Sequence, residues 1–258
     1  MSKQDTLFVA SLEKGLRVLE AFGGNRESLG ATAIARATNM DKSAAQRFAN
    51  TLHQLGYLEK DTQTRRYRPA IRLLGFSHIY LRHDRLAEVS VARLIEVGKV
   101  YGTTVNLCVM IDTDIIYTVR IPHEKANYAA TVPGRRIPAF CTSGGTCILA
   151  FRLNEETLAV LDASDLKPIT EQTIYERQAI LARINEAREN GFGIGTGQVE
   201  LNEISVAAPV LDNQGRGIAA VQIPVYRPQW TLDDVIDKLA PLAMETARSI
   251  SGSLYRTI

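Results

Sequence analysis

The chain has 258 residues, of which 45% are hydrophobic and 22% charged, and its formal net charge is +2. These values exclude an intrinsically disordered chain and allow two domains, each with its own core. The apolar runs are of strand length, far below the roughly 20 residues that a membrane helix needs, and the N-terminus lacks the apolar stretch of a secretory signal. We therefore expect a soluble, cytoplasmic protein with no membrane partner.

Charge is divided unevenly along the chain. Residues 1–83 carry 13 lysines and arginines against 7 acidic residues, whereas residues 84–258 carry 17 against 21. A basic N-terminal part attached to an acidic remainder indicates that a polyanion binds at one end only.

Short helices are predicted in the basic part. The first spans residues 11–22 and ends at glycines. Thr32 is the predicted N-cap of the second helix, with Ile34 and Ala37 facing inward, and Asp41 is the predicted N-cap of the third. Because a helix, a turn and another helix follow in close succession, the segment is typical of a helix-turn-helix.

The third predicted helix separates apolar from polar side chains. At about 100° per residue, one side carries apolar residues at helical spacing, namely Ala44, Phe48, Leu52 and Leu55. The opposite side and its flank carry Lys42, Ser43, Gln46, Arg47 and Asn50. Glutamine and asparagine pair with adenine edges, and arginine pairs with guanine or phosphate. The alternative is an ordinary solvated helix face, but the shortage of acidic residues favours a DNA contact.

A basic hairpin follows this helix. Its turn, residues 61–64, is polar, and its return strand carries Arg65, Arg66 and Arg68. The combination predicts a winged helix-turn-helix domain over residues 1–68, whose third helix enters the major groove of double-stranded operator DNA. The candidate DNA-binding residues are Thr32, Lys42, Ser43, Gln46, Arg47, Asn50, Arg65 and Arg66.

Residues 69–84 are predicted to form a linker helix. Ile71, Leu74, His78 and Leu81 repeat with coiled-coil-like spacing. One DNA-binding domain with few phosphate contacts binds weakly, whereas two on a palindrome multiply the affinity. We therefore expect the helix to pack partly against the DNA-binding domain and partly against a second chain.

The pattern becomes mixed α and β over residues 85–258. Helices are predicted over 86–101, 143–152, 171–190 and 231–254, and strands over 103–111, 115–121, 128–132, 192–200, 204–211 and 217–225. Tight turns are predicted at 112–114 and 212–215. This order predicts an α+β domain in which helices flank an antiparallel sheet, of the kind that GAF- and PAS-like sensor domains use.

Five segments of the chain together carry a family resemblance. In order, they read SLEKGLRVLEAF, ATAIARATNMDKSAAQRFANTLHQLGYLEKD, YRPAIRLLGF, GRRIPAFCTSGGTCILAF and ARENGFGIGTGQVELNEISVAAPVLDNQGRGIAAVQI. In order and spacing, the chain resembles the IclR family of bacterial transcriptional regulators nearly end to end. The resemblance implies an N-terminal winged helix, a C-terminal effector domain, dimers or tetramers, and control of an operon by a small organic acid.

Several positions depart from the family pattern. The loop 142–147 lacks the lysine that is usual there, and Gly195-Thr196 replaces an acidic pair that is often present. Ser205 stands where a cysteine is common, and Gln222 and Pro224 stand where some members have serines. These departures leave the DNA-binding prediction unchanged and predict a roomier, less polar effector pocket.

The glycine turn before the helix at 143–152 predicts a seat for an anion. Free N–H groups and the helix dipole favour a carboxylate there, although a glycine turn that serves only as a connection is the alternative. Tyr117, Tyr128 and Phe140 are candidates for aromatic walls of the pocket, and plain core packing is the alternative for each of them. We expect a carboxylic acid larger than a two- or three-carbon ketoacid, and aromatic. The candidate effector-binding residues are Tyr128, Phe140, Ser143, Gly144, Gly145, Thr146, Gly195, Ser205 and Gln222.

Cysteine and histidine patterns predict no metal, cofactor or disulfide framework. The three cysteines, Cys108, Cys141 and Cys147, have no C-x-x-C spacing. An enzyme that uses Cys141 as a nucleophile is a rival, but His123, the one histidine in the body, has no motif around it, so we expect no catalysis. A DNA-binding protein whose body serves only for oligomerisation is a second rival.

Overall fold

The structure, a computed structural model, describes residues 7–23, 27–123 and 132–255. The chain divides into two compact units, Met1–His83 and Asp84–Ile258. Among the described residues, the first unit has one apolar core, and the second has one core on each face of a sheet.

Three helices form most of the first unit: α1 (Ala10–Glu20), α2 (Ala31–Thr38) and α3 (Lys42–Gln54). The turn between α2 and α3 passes through Asn39, whose φ of 53° lies in the left-handed region that asparagine tolerates. The Asp41 carboxylate accepts a hydrogen bond from the Ala44 N–H at 2.8 Å. The predicted N-cap of α3 is therefore confirmed.

The predicted N-cap of α2 is wrong. Gly30 occupies that position, so the helix begins before Thr32, which is exposed. Ile34 is buried as predicted, but Ala37 is exposed and Ala35 is buried. Because each residue advances a helix by about 100°, the inward face is set by which side meets α1 and α3.

The buried face of α3 is rotated from the predicted one. Its fully buried residues are Ala45 and Ala49, whose small side chains permit close packing in the core with Val18 and Ile34. Ala44, Phe48 and Leu52 are half-buried at the edge of that core, and Leu55 is 50% exposed. The polar side, which the DNA prediction depends on, remains exposed.

The predicted hairpin is present. Strand β1 (Leu58–Lys60) pairs antiparallel with β2 (Tyr67–Pro69). Tyr67 is buried and exchanges two backbone hydrogen bonds of 2.8 Å with Leu29. This bridge ties the hairpin to the segment before α2, so the hairpin belongs to the core of the first unit.

A short 3₁₀ turn (Ile71–Leu73) leads into α4 (Leu74–His83). Of the residues described in α4, none is buried, and Ile71 before it is 80% exposed. Leu74, Phe76, Ile79 and Tyr80 are between 55% and 64% exposed. The expected packing of this helix on its own DNA-binding domain is therefore limited, and much of its apolar surface is exposed in the described chain.

The second unit contains the remaining helices and strands. The helices are α5 (Arg85–Tyr101), α6 (Ser143–Ala150), α7 (Asn154–Ala163), α8 (Arg177–Asn190), α9 (Leu232–Asp234) and α10 (Ala240–Leu254). The strands are β3 (Val105–Ile111), β4 (Asp114–Ile121), β5 (Arg136–Pro138), β6 (Gly193–Thr196), β7 (Glu203–Leu211) and β8 (Gly217–Tyr226). A 3₁₀ turn (Ala139–Cys141) precedes α6, and a π-helical turn (Val235–Leu239) joins α9 to α10.

Within the described residues, the strands form one antiparallel sheet in the order β5-β4-β3-β8-β7-β6. One face packs against α5 and α10 through residues such as Leu107, Val206 and Val221. The other face packs against α6 and α8 through residues such as Cys108 and Ala207. The predicted antiparallel α+β sheet between helices is therefore confirmed.

Several boundaries differ from the prediction. Helix α8 begins at Arg177, so residues 171–176 are not helical, and β6 ends at Thr196. Helix α7 and strand β5 were not predicted. The predicted strand at 128–132 lies, apart from Val132, outside the described residues. In the described part of the chain, no helix is long and apolar enough to cross a membrane.

Candidate functional site

The polar side of α3 is open to solvent. Lys42, Ser43, Gln46 and Arg47 are exposed, and Asn50 is half-buried. Among the described residues, none of these five side chains makes a hydrogen bond or ion pair. Long polar side chains on an exposed helix, free of partners in their own chain, can contact base edges and phosphates.

The hairpin arginines have different surroundings. Arg65 lies in the turn with a φ of 56° and is exposed. The Arg66 Nε donates a hydrogen bond of 2.8 Å to the Ser28 Oγ, which holds the hairpin against the segment before α2. Arg68 forms an ion pair with Glu59 at 2.6 Å. Arg65 is thus the hairpin arginine with a free guanidinium within the described residues, whereas the other two have structural partners.

In the turn before α6, fewer backbone N–H groups are free than the predicted anion seat requires. The Thr142 Oγ1 accepts a hydrogen bond of 3.0 Å from the Gly145 N–H, and the Thr142 carbonyl accepts one of 2.9 Å from the Thr146 N–H. The prediction of a free N–H at Gly145 is therefore wrong, because this N–H donates its hydrogen bond to the N-cap residue Thr142. A Cβ on Gly144 would lie 2.6 Å from the Cys108 Sγ, so this position also requires glycine.

Gly145 is required by close packing. A Cβ there would lie 2.2 Å from the Ala139 carbonyl oxygen, which is backbone and cannot rotate away. We expect Gly145→Ala to lower the free energy of unfolding by about 2–3 kcal/mol. In Gly252→Ala, the matched control, the added methyl meets nothing within 4 Å on α10, so a gain of about 0.5–1 kcal/mol is expected. Urea unfolding measures both, and equal effects would contradict the packing argument.

A polar cluster lies across adjacent strands on the α6 face of the sheet. In the strand register, Asn106 on β3 pairs with Arg120 on β4 and with Gln222 on β8. Side chains of directly paired residues lie on the same face of an antiparallel sheet. These three residues therefore stand side by side, and Asn106 and Gln222 are buried.

Two members of this polar cluster have unsatisfied hydrogen-bonding groups. Within the described residues, the buried Nε and Nη1 atoms of Arg120 and the buried Oδ1 of Asn106 have no hydrogen-bond partner. The Arg120 guanidinium lies over the Tyr117 ring, 4.5 Å from its centroid. The Tyr117 hydroxyl donates a hydrogen bond of 2.6 Å to the Gln222 Oε1. A guanidinium held by an aromatic ring, with buried donors unused, is a ready partner for a carboxylate.

Ser143, Ser205 and Gly195 meet beside this polar cluster. The Ser143 Oγ donates a hydrogen bond of 3.1 Å to the Ser205 Oγ. A Cβ on Gly195 would lie 3.1 Å from that same Ser205 oxygen and 3.7 Å from the Ser143 nitrogen. Of the predicted effector residues, the structure brings these three and Gln222 to the α6 face of the sheet.

The remaining predicted effector residues are placed differently. Phe140 is fully buried in the core behind α6, and Thr146 is buried with an Oγ1 that finds no partner among the described residues. Tyr128 lies outside the described residues. Whether any of these residues touches an effector stays a prediction.

Glu203 adds a titratable carboxyl at the start of β7. Burial raises the pKa of this carboxyl to about 7, and the neighbouring Glu200 acts in the same direction. Arg135, a hydrogen bond with Ser205, and Arg120 act in the opposite direction. Glu200 itself faces Arg135 at 3.7 Å. A carboxyl whose pKa is near neutral thus interacts electrostatically with Arg120 of the polar cluster.

The raised pKa of Glu203 predicts a pH dependence of stability. The native state binds this proton more tightly than the unfolded chain, so stability should fall as pH rises from about 4.5 to about 7 and level off above. The expected loss is about 3 kcal/mol. Urea unfolding between pH 5 and pH 8 should show this slope. Glu203→Gln should flatten it and be the more stable protein at pH 8; an unchanged slope in the variant would contradict the assignment.

The cysteines do not form a nucleophilic site. Burial raises the pKa of the Cys141 thiol to about 12 and that of Cys108 to about 12. Burial also raises the pKa of Cys147. A thiol in this state carries almost no thiolate at neutral pH. Over the described ranges, no group of three His, Cys, Asp or Glu side chains is arranged to hold a metal ion.

The sequence reasoning missed Arg120, Asn106 and Glu203. A signal was present, because Asn106 and Arg120 interrupt otherwise apolar strands that helices cover on both faces. A polar residue at such a position needs a partner, and in a binding domain the partner can be a ligand.

Two family models match the chain. The model of the bacterial transcriptional regulator IclR C-terminal domain covers residues 78–252. The model of the IclR helix-turn-helix domain covers residues 11–62. Together they include both the exposed face of α3 and the polar cluster on the sheet.

Individual relatives match over nearly their whole length. The p-hydroxybenzoate hydroxylase transcriptional activator of Acinetobacter baylyi is 31% identical over 252 residues, covering 94% of this chain and 91% of that protein. A transcriptional regulator from Rhodococcus sp. RHA1 has a TM-score of 0.78 at 29% identity, covering 96% of this chain and 98% of that one. An IclR homolog from Microbacterium hydrocarbonoxydans, complexed with 4-hydroxybenzoate, has a TM-score of 0.74 at 23% identity, covering 95% and 98%.

Proposed function

The chain belongs to the IclR family of bacterial transcriptional regulators, and on that premise we propose that an aromatic carboxylic acid, bound in the body, controls its affinity for operator DNA. The family consists of DNA-binding transcriptional regulators, so the chain is a regulator and not an enzyme. Its place of action is the cytoplasm, where operator DNA is available.

The observation that carries the effector proposal is the buried guanidinium of Arg120. Its Nε and Nη1 have no partner among the described residues, and a buried donor without an acceptor costs about 1–3 kcal/mol, more when it is charged. A carboxylate would satisfy both donors at once in a bidentate pair. An acid is therefore favoured over a neutral sugar or an amine as the effector.

The surroundings favour an aromatic acid. Gly195 has no side chain, Pro224 carries no polar group, and the Tyr117 ring lies against the guanidinium. These residues add no charge beside the anion position, and an apolar or aromatic surface there suits the ring of an aromatic acid better than a two- or three-carbon ketoacid. Two relatives agree with this choice, since one regulates p-hydroxybenzoate hydroxylase and one is complexed with 4-hydroxybenzoate.

DNA recognition is assigned to the face of α3 that carries Lys42, Ser43, Gln46, Arg47 and Asn50. Thr32 and the hairpin residues Arg65 and Arg66 would contact the backbone beside it. We assign residues 1–68 to DNA binding, 69–84 to a linker and 85–258 to effector binding and oligomerisation. The exposed apolar side chains of α4 support a homodimer or homotetramer, because several exposed apolar side chains on one helix are typical of a surface that another chain covers.

Control would follow from linkage between the two sites. If the acid favours one spacing of the two DNA-binding domains, it changes operator affinity by some factor, and DNA then changes acid affinity by the same factor. This reciprocity gives the proposal a quantitative form, because the two factors can be measured separately.

The test uses the full-length protein and an operator recovered by in vitro selection from random duplexes. Isothermal titration should detect binding of 4-hydroxybenzoate or benzoate but not benzamide, which has the same ring without the charge. Gel shifts with and without the acid should then change the operator Kd. If no acid binds, or if binding leaves the operator Kd unchanged, the body serves only for oligomerisation and the effector proposal fails.

A further inference from the structure

The C-terminal end of α3 and the start of the linker are joined by one side chain, that of Arg72. Its Nη1 donates a hydrogen bond to the Leu55 carbonyl, the C-cap residue of α3. Its guanidinium also lies over the Tyr57 ring, 5.4 Å from the centroid. One planar cation therefore contacts the last carbonyl of the helix and the ring that follows it.

The backbone between these contacts is tightly turned. Gly56 has a φ of 79°, and a Cβ on it would lie 3.5 Å from the Arg72 Nη1. The Tyr57 N–H donates to the Leu52 carbonyl at 2.8 Å, and the Ala70 N–H donates to the Tyr57 carbonyl at 3.0 Å. The start of the linker is thus hydrogen-bonded to the residue over which Arg72 lies.

The packing continues into α4. The Phe76 ring lies 5.7 Å from the Tyr57 ring. Tyr57 is therefore contacted both by Arg72 and by α4. None of the described residues of α4 is buried, so core packing does not fix the direction of this helix. The direction of α4 relative to α3 therefore depends on surface contacts such as those around Tyr57. Arg72 contacts both the Tyr57 ring and the Leu55 carbonyl at the end of α3.

We propose that Arg72 is the positioning residue that fixes the direction of the linker helix relative to the DNA-recognition helix, and thereby the half-site spacing that the assembled regulator accepts. The inference rests on the proposed function, because it needs two DNA-binding domains on one operator. An exposed charged hydrogen bond and a cation–π interaction are modest in strength. Removing them should loosen the linker without unfolding the domain.

The test compares two duplexes, the selected operator and the same operator with two base pairs inserted between its half-sites. The insertion should lower the affinity of the wild type about 100-fold, because the second domain no longer reaches its half-site without strain. In Arg72→Ala, we expect a penalty below about 10-fold, with affinity for a single half-site within about two-fold of wild type. Arg72→Lys should restore part of the penalty, because it keeps the charge but not the planar stack.

The matched control is Arg82→Ala, which removes one charge from an exposed position of the same helix. It should keep the wild-type penalty. If Arg72→Ala does not fold, Arg72→Met keeps the aliphatic stem and tests the same change. Two results would overturn the inference. In one, the folded Arg72 variant loses as much affinity on insertion as the wild type does; in the other, its affinities for the half-site and for the operator fall equally. If the wild type binds no duplex, the proposed function fails instead; if it binds but ignores the insertion, the inference fails alone.

Discussion

Replacing Arg120 with methionine should reduce the affinity for the carboxylic acid effector about 100-fold or more. The variant keeps an unbranched apolar stem against the Tyr117 ring but loses the charged donors. Two charge-assisted hydrogen bonds of about 1.5–3 kcal/mol each account for a change of this size. Isothermal titration measures the fall in affinity. Comparing benzoate with benzamide shows whether the lost affinity came from the carboxylate, because the variant should bind the two compounds equally.

The same variant should be at least as stable as the wild type without ligand. The wild type carries a partly buried cation whose Nε and Nη1 are unpaired within the described chain, and replacing such a group with an apolar one is often neutral or stabilising. Arg188→Met is the matched control, because that guanidinium donates to the Ala150 carbonyl at 2.5 Å and serves the fold. It should lose stability and keep the acid. If Arg120→Met binds the acid normally, Arg120 is not its partner.

Replacing Arg47 with alanine should weaken operator binding about 10-fold or more for each DNA-binding domain. Arg47 is exposed on α3 and has no side-chain partner among the described residues, so its removal should not disturb the fold. If it neutralises a phosphate, the slope of log affinity against log salt should become shallower by roughly one for each phosphate that is no longer neutralised. Fluorescence anisotropy at several salt concentrations gives both quantities.

Two comparisons sharpen the Arg47 prediction. Lys99→Ala removes an exposed charge from the body and should leave the salt slope unchanged. Gln46→Ala should instead reduce the discrimination between bases at one position by about 1–3 kcal/mol, because a bidentate amide reads adenine. An unchanged salt slope in Arg47→Ala would remove Arg47 from the phosphate interface.

The helix-turn-helix could be predicted well because its signals are local. Asp41 occupies the position that a helix N-cap requires, and the polar residues of α3 fall on one side at any small rotation of the helix. The rotation itself could not be predicted. Ala45 and Ala49 are buried because they allow close approach of neighbouring helices, which depends on tertiary packing rather than on hydrophobicity.

At the start of α8, local hydrogen bonds prevent the helix that the periodic pattern predicts from residue 171 onward. Residues 171–176 precede the helix because the Thr173 Oγ1 accepts from the Ile169 and Thr170 N–H groups and donates to the Gln198 carbonyl at 2.7 Å. Side-chain hydrogen bonds of this kind compete with helix formation. Similarly, β6 ends early because Gly197, with a φ of 63°, turns the chain.

The candidate effector site could be predicted only in part, because the residues that form it are distant from one another in sequence. Glycines before α6 suggested an anion seat, but Thr142, directly before them, already uses the Gly145 N–H. The residues with unused hydrogen-bonding capacity, Arg120 and Asn106, lie on strands that are distant in sequence from that turn. Their proximity follows from the strand register, which a single sequence does not reveal.

Helix α6 is enclosed on every side, since each of its eight residues is buried. Gly144 faces the Cys108 sulfur, and the Cys147 sulfur lies 3.1 Å from where a Cβ on Gly193 would stand. A library that randomises this helix, for example to redesign the protein as a biosensor, would mostly yield misfolded variants whatever compound is sought. If the proposed effector site is right, its ligand preference is better varied at strand positions such as Gln222, where one side chain can be exchanged without displacing a helix.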